Sequence, residues 1–233
     1  MRGSSAADLP ANRQLHGRNK GKPLRPNQAR LMSELLPRIS PPIGDAPIDP
    51  ATLFEFPFEQ FIVEIGFGGG EHLIDEATAL PNAAFIGCEP FVNGVAKIVA
   101  RIDGEGLRNI RVHKGDAMDV LTRLPKGCVD RVDLLYPDPW PKRRQRKRRF
   151  VSEESLAEIA RVLKPGGEFR FASDIDDYVG WTLVRVLASP AFQWTAKTSA
   201  DWLNPWPGYN STRYEQKARR EGRPSSYLTF VRV

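Results

Sequence analysis

From residue 61 onward, short apolar runs alternate with longer stretches in which apolar residues recur every three to four positions. The first pattern marks buried strands and the second amphipathic helices. Runs at 61–65 (Phe-Ile-Val-Glu-Ile), 83–87, 109–113, 131–136 and 168–172 predict five strands. Helical spacing at 75–80, 92–102, 117–124, 153–163 and 178–188 accompanies them, and Lys164-Pro165-Gly166-Gly167 reads as a helix stop. Residues 193–198 and 227–233 are expected to pair as antiparallel strands. Repeated β-α-β units imply an α/β fold: a doubly wound, mostly parallel, seven-stranded sheet with right-handed crossovers and an antiparallel C-terminal strand. Ligands of such sheets bind beyond the C-terminal strand ends, so the residues following each strand are where chemistry is expected.

Ahead of this region the pattern is different. Residues 1–33 are polar, with Gly17, Gly21, Pro23 and Pro26, and are read as a mobile basic arm. Residues 31–39 predict a short helix stopped by Pro41-Pro42, and 41–50 a linker. The expected organisation is an arm at 1–33, a short helix and linker at 34–60, and a catalytic domain at 61–233.

Composition removes several classes. No stretch approaches the roughly 20 apolar residues of a membrane span, and no signal-peptide pattern opens the chain. Cys88 and Cys128 cannot build a disulfide framework. With His16, His72 and His113 they show no metal-ligand spacing, so no metal is expected. A cytoplasmic protein, a monomer or homodimer without an obligatory protein partner, is the expectation. Charge adds more. The net charge of the 233 residues is +6, yet residues 1–33 alone carry +6 and residues 142–149 (Lys-Arg-Arg-Gln-Arg-Lys-Arg-Arg) carry +7, leaving an acidic body. Two dense basic segments point to a polyanion partner, because clustered cations displace counterions from phosphates. A solvated tail and loop, or a nuclear localisation signal, is the competing reading.

The strand ends carry the candidate chemistry. The first ends in Glu64-Ile-Gly66-Phe-Gly68-Gly-Gly70, a turn suited to close backbone approach. It lacks the dinucleotide pattern, since Glu71 stands where the third glycine would fall, and an acid there repels a pyrophosphate. Together with Glu64 it favours a phosphate-free, positively charged cofactor, which S-adenosylmethionine is. The second strand ends at Glu89, placed to accept ribose hydroxyls. The third ends at Asp116, placed to accept an adenine amino group. The fourth runs into Tyr136-Pro-Asp138-Pro-Trp140-Pro and then the basic run. Flanking prolines stiffen Asp138, and Trp140 can stack a base.

Taken together, these segments resemble the stand-alone bacterial tRNA (guanine-N7-)-methyltransferase family. The resemblance runs from about residue 61 to the end. It is carried most strongly by Pro-Asp-Pro-Trp-Pro-Lys-Arg-Arg-Gln-Arg-Lys-Arg-Arg at 137–149, supported by the glycine turn, Gly-Cys-Glu-Pro-Phe-Val-Asn-Gly-Val at 87–95, Gly-Asp-Ala at 115–117, Ala-Ser-Asp-Ile-Asp-Asp-Tyr at 172–178 and Thr-Arg-Tyr-Glu at 212–215. It implies a class I, Rossmann-like methyltransferase that moves the methyl of S-adenosylmethionine to N7 of a guanine in the variable loop of tRNA. It further implies that Glu64, Gly66, Gly68, Glu89, Asp116 and Asp138 meet the methyl donor and that Asp138 is catalytic. Lys142, Asp174, Thr212, Arg213, Tyr214 and Glu215 would bind substrate, and Arg144, Gln145, Arg146, Lys147, Arg148 and Arg149 would contact RNA. Gln145, and Arg223 after Gly222, stand where members commonly have His.

The implied chemistry needs no histidine base, because guanine N7 has an in-plane lone pair and no proton to lose. Placement and a fixed carboxylate suffice, either to stabilise the developing ring charge or to hold the base edge. The target base must leave its stack. Two rivals remain open at this level: an adenine amino-group methyltransferase, whose Asp/Asn-Pro-Pro-aromatic loop the Pro-Asp-Pro-Trp segment partly imitates, and a non-catalytic RNA-binding domain on the same fold.

Overall fold

The computed structural model describes residues 19–233. Its strands are β1 (Gln60–Ile65), β2 (Ala83–Cys88), β3 (Ile110–His113), β4 (Val129–Leu135), β5 (Leu163–Ser173), β6 (Phe192–Trp194) and β7 (Ser226–Arg232). They form one sheet in the order β3-β2-β1-β4-β5-β7-β6. The first five pair in parallel; β7 pairs antiparallel with both β5 and β6. This is the doubly wound, mostly parallel sheet that the alternation of strands and helices implies.

The helices are α1 (Pro26–Glu34), α2 (Leu36–Ile39), α3 (Pro50–Leu53), α4 (Glu71–Ala79), α5 (Val92–Glu105), α6 (Ala117–Leu121), α7 (Glu153–Val162), α8 (Asp176–Ala188), α9 (Ala200–Leu203) and α10 (Arg213–Arg220). Both faces of the sheet are covered, which is why β1 and β2 read as continuous apolar runs rather than alternating ones. On β1, Phe61, Val63 and Ile65 enter one core with Leu156, Ile159 and Tyr178. Ile62 enters the other with Leu73, Ile74, Val95 and Val99. Glu64 follows Ile62 by two residues and so faces the α4 side.

Several elements differ from the sequence expectation, among them short helices α3 and α9 that it did not include. The expected arm boundary at residue 33 falls inside a helix, because α1 begins at Pro26 and buries Leu31 against the second core. Proline at the first helical position suits a helix start, so Pro26, read as part of the arm, begins a helix instead. Residues 1–18 of that arm lie outside the described residues. α7 ends at Val162, as the stop signal at Lys164 to Gly167 predicts, but those residues lie within β5 as an irregularity: the β4–β5 register jumps from Val129 with Leu163 to Arg131 with Glu168. Finally, Arg213–Arg220 is a helix, where the sequence showed only a basic segment.

Candidate active site

The C-terminal ends of β1 to β4 open onto one cleft of about 680 Å³, within the usual size range of small-molecule sites. Its walls include Gly66, Gly68, Glu89, Asp116, Asp138 and Trp140, drawn from all four strand ends. Gly66, Gly68 and Gly70 have φ of 74°, 57° and 77°, a left-handed turn that admits glycine without strain. Gly94 is needed for a different reason: a Cβ there would stand 2.1 Å from the Gly68 carbonyl, so α5 could not lie against the turn.

Glu89 ties these pieces together. Its Oε2 accepts from the Gly68 N–H and its Oε1 from the Phe91 N–H, both at 2.8 Å. Burial raises its carboxyl above the usual range, and the two amides oppose that shift. Asp116 caps α6, its Oδ1 accepting from the Met118 N–H at 3.1 Å. Asp138 keeps an outlet to water at the cleft mouth, yet the walls desolvate its carboxyl enough to raise it above its ordinary value.

Glu64 departs from the arrangement that the resemblance implies. Among the described residues it does not line the cleft; it lies one layer deeper, 3% exposed, with Oε2 at 2.9 Å from His72 Nδ1. The reason is strand parity, which turns Glu64 toward α4. Burial by itself lowers the His72 pKa, but the Glu64 charge and hydrogen bond, with Asp133 and Glu76 nearby, outweigh it and lift His72 to about 9. The pair's stability contribution is therefore complete below about pH 6.5, the ordinary histidine value, and is lost as pH rises through about 9. Melting followed between these limits should show a loss of up to about 3 kcal/mol that His72→Gln lacks. Identical pH profiles for the two proteins would contradict the ion pair.

The loop after β4 is strained. Tyr136 and Trp140 have φ of 49° and 41°, left-handed values that bulky residues adopt only when the surroundings hold them there. One such restraint is Arg149. Although it belongs to the basic run, it is 1% exposed and so is not an RNA contact. Its Nε donates to the Pro139 carbonyl at 2.8 Å, it pairs with Asp177, and its guanidinium lies over Tyr178 and Trp181 at 4.7 and 5.0 Å. Arg146, half-exposed, pairs with Asp177 at the surface at 2.7 Å. The rest of the run forms a 3-10 helix, Arg143–Arg148. Lys142, Arg143, Arg144 and Lys147 are exposed on it and Gln145 is half-buried. Arg148 lies 5.0 Å from the Trp140 ring, and it and Lys147 line the cleft.

On the opposite wall, Thr212 caps α10, accepting from the Glu215 N–H at 3.1 Å. Arg213 pairs with Glu71 and lines the cleft, as does Tyr214, whose ring packs against Gly68. Glu215 does not line it; it is fully buried. Asp174 is held by Arg223 at 2.7 Å. A contact with no sequence signal completes the lip. Asn93 accepts from the Gly21 N–H at 2.6 Å and donates to the Lys22 carbonyl at 2.7 Å, which lays residues 19–22 along α5 and brings Asn19 to the cleft. Among the described residues no group of three or more His, Cys, Asp or Glu is arranged to hold a metal ion.

The fold is similar to that of solved methyltransferases. The 16S rRNA methyltransferase KamB superposes with a TM-score of 0.54 at 18% identity, over 76% of this chain and 89% of that one. A family of putative methyltransferases matches residues 59–228. Fold and sequence thus define a class I methyltransferase. Among curated proteins, the tRNA (guanine-N(7)-)-methyltransferase of Nitrobacter hamburgensis is 56% identical over 217 residues, covering 93% of this chain and 85% of that protein. That of Rhizobium meliloti is 55% identical over 218 residues, covering 93% and 94%. The chain belongs to the tRNA (guanine-N(7)-)-methyltransferase family.

Proposed function

We propose that this cleft binds S-adenosylmethionine and that Asp138, at its mouth, serves methylation of guanine N7 in the variable loop of tRNA. The observation that carries the reading is the placement of Asp138. It stands on a strained loop that joins the cleft holding Glu89 and Asp116 to a row of outward-facing cations.

The cleft suits that donor. Its glycine turn is cradled so closely that a Cβ on Gly94 would meet the Gly68 carbonyl, and an acid, Glu71, stands in the first turn of α4 where a dinucleotide's pyrophosphate would sit. Glu89 is preorganised to take the ribose hydroxyls and Asp116 the adenine amino group. Glu64 lies one layer below the cleft, paired with His72 of α4. When bound, S-adenosylmethionine supplies an electrophilic methyl on a sulfonium, which guanine N7 accepts with its lone pair and without losing a proton.

The protein's part is then placement and charge. Trp140 offers a face for the unstacked guanine, and Tyr214 closes the opposite wall. The carboxylate of Asp138 stabilises the positive charge that methylation puts on the imidazole ring. Lys142, Arg143, Arg144 and Lys147 take the tRNA phosphates, with Arg148 and Gln145 at the lip.

Two measurements probe the parts separately. Glu89→Ala should weaken donor binding by about 1–3 kcal/mol, the size of a lost charged hydrogen bond; unchanged affinity by isothermal titration would remove it from the donor site. Replacing Arg143, Arg144 and Lys147 with Ala should flatten the dependence of log tRNA affinity on log salt by roughly 0.7–0.9 per lost phosphate contact. An unchanged slope would mean that these cations face only solvent. For the target position, borohydride and aniline cleavage of tRNA incubated with the protein and donor should break the chain in the variable loop. A break elsewhere overturns that placement, and no break overturns N7 as the methylated atom.

A further inference from the structure

We infer that Glu215 is a positioning residue rather than a substrate contact: it ties the α10 segment at the cleft mouth to the strained loop that carries Asp138. The inference rests on the catalytic reading of Asp138 given above.

The first turn of α10 divides its side chains. Arg213 and Tyr214 line the cleft, whereas Glu215 is 0% exposed and points into the protein. A carboxylate so placed cannot reach a tRNA base without unfolding the helix start. One of its two oxygens is firmly partnered where it lies, while Oε2 is buried without a hydrogen bond. The Tyr227 hydroxyl donates to its Oε1 at 2.6 Å, Arg219 pairs with the same oxygen, and the Tyr209 ring packs edge-on against that of Tyr227 at 5.7 Å.

Tyr227 carries the connection onward. It is 2% exposed on β7, opposite Ala172 of β5. It belongs to a small cluster with Leu135, Tyr136 and Ala172, against which Trp206 and Tyr209 pack. The Tyr136 hydroxyl donates to Ser225 Oγ at 2.9 Å, two residues before Tyr227, while its N–H bonds the Ala172 carbonyl at 2.8 Å. Tyr136 is the first of the two residues with positive φ in the Asp138 loop. A left-handed tyrosine holds only while its surroundings over-determine it. Glu215, by orienting Tyr227, is part of what does so, and Asp138 follows two residues later. One buried carboxylate therefore sets the relative position of the two walls between which the guanine must enter.

A positioning role and a contact role differ in what they move. Glu215→Gln and Tyr227→Phe each keep size and remove one element of the link. Each should lower kcat at least 10-fold, with donor and tRNA dissociation constants within twofold of wild type, measured well below each variant's melting temperature. Because both act through one connection, the double variant should be no slower than the slower single one. In an Asp138→Asn background neither substitution should slow the reaction further, since the effect passes through that carboxylate. Weakened tRNA binding by Glu215→Gln with Tyr227→Phe near wild type would establish direct contact instead. Unchanged kcat in both, or full additivity with Asp138→Asn, would equally overturn the inference. The Asp138→Asn protein is assayed alone in the same series. A near-wild-type rate there refutes the catalytic reading, a result distinct from failure of the Glu215 link.

Discussion

Asp138→Asn is expected to slow single-turnover methylation about 100-fold or more while making the protein more heat-stable. The rate effect follows from losing one preorganised charge beside the reacting base. The stability effect follows from the carboxyl's environment. Burial raises its pKa above the ordinary value, so the folded state holds the proton more tightly than the unfolded one. Stability linked to this group falls as pH rises from the unfolded pKa through the folded one. At neutral pH the ionised Asp138 thus destabilises the free protein, and the neutral amide relieves it. Activity and stability move in opposite directions, as expected where a site holds a group for chemistry rather than for folding. The rate near neutral pH should also show no limb from a base of pKa about 7, because N7 has no proton to give up. A near-wild-type rate with both substrates saturating would leave Asp138 as a turn residue.

Arg149→Ala should produce the opposite pattern: a large loss of stability and no change in the salt slope of tRNA binding. The substitution removes a buried guanidinium that bonds the Pro139 carbonyl, pairs with Asp177 and lies over Tyr178 and Trp181. Asp177 is partly exposed and can turn to water, so the loss comes mainly from the stranded carbonyl and the emptied space between two aromatic rings. About 3 kcal/mol is expected, or roughly 6–12 °C in melting temperature for a chain of this size. Methylation should fall as well, since the Pro139 carbonyl belongs to the loop that carries Asp138 and Trp140. An unchanged melting temperature together with a flatter salt slope would return Arg149 to the RNA surface.

These two residues show what a sequence can and cannot reveal here. Strand ends are legible because apolar runs mark the strands, and parallel α/β sheets place ligands at one edge. Glu89, Asp116 and Asp138 stand there together on that ground alone. Charge counting, by contrast, treats the basic run as uniform. The inward turn of Arg149 depends on Asp177, 28 residues away, and on two aromatic faces that no local pattern announces. Glu64 and His72 lie eight residues apart across a glycine turn. The parity of β1 alone could have sent Glu64 toward α4, had Ile62 been assigned to that side. The α10 helix was hidden by its lack of apolar residues; only Ala218 and Glu215 are buried in it. The clip between Asn93 and residues 19–22 spans more than 70 positions of the chain and uses side-chain amide and main-chain groups, so neither hydrophobicity nor charge reports it.

The central claim, that the Asp138 cleft methylates guanine N7 in tRNA, is tested most directly by mass spectrometry of nucleosides. Unmodified tRNA would be incubated with S-adenosylmethionine labelled in its methyl group and either the wild-type protein or Asp138→Asn. The account predicts labelled 7-methylguanosine as the sole product of the wild type, and about a hundredth as much or less from the variant in the initial phase. Label in N6-methyladenosine, or no labelled nucleoside from the wild type, would contradict it.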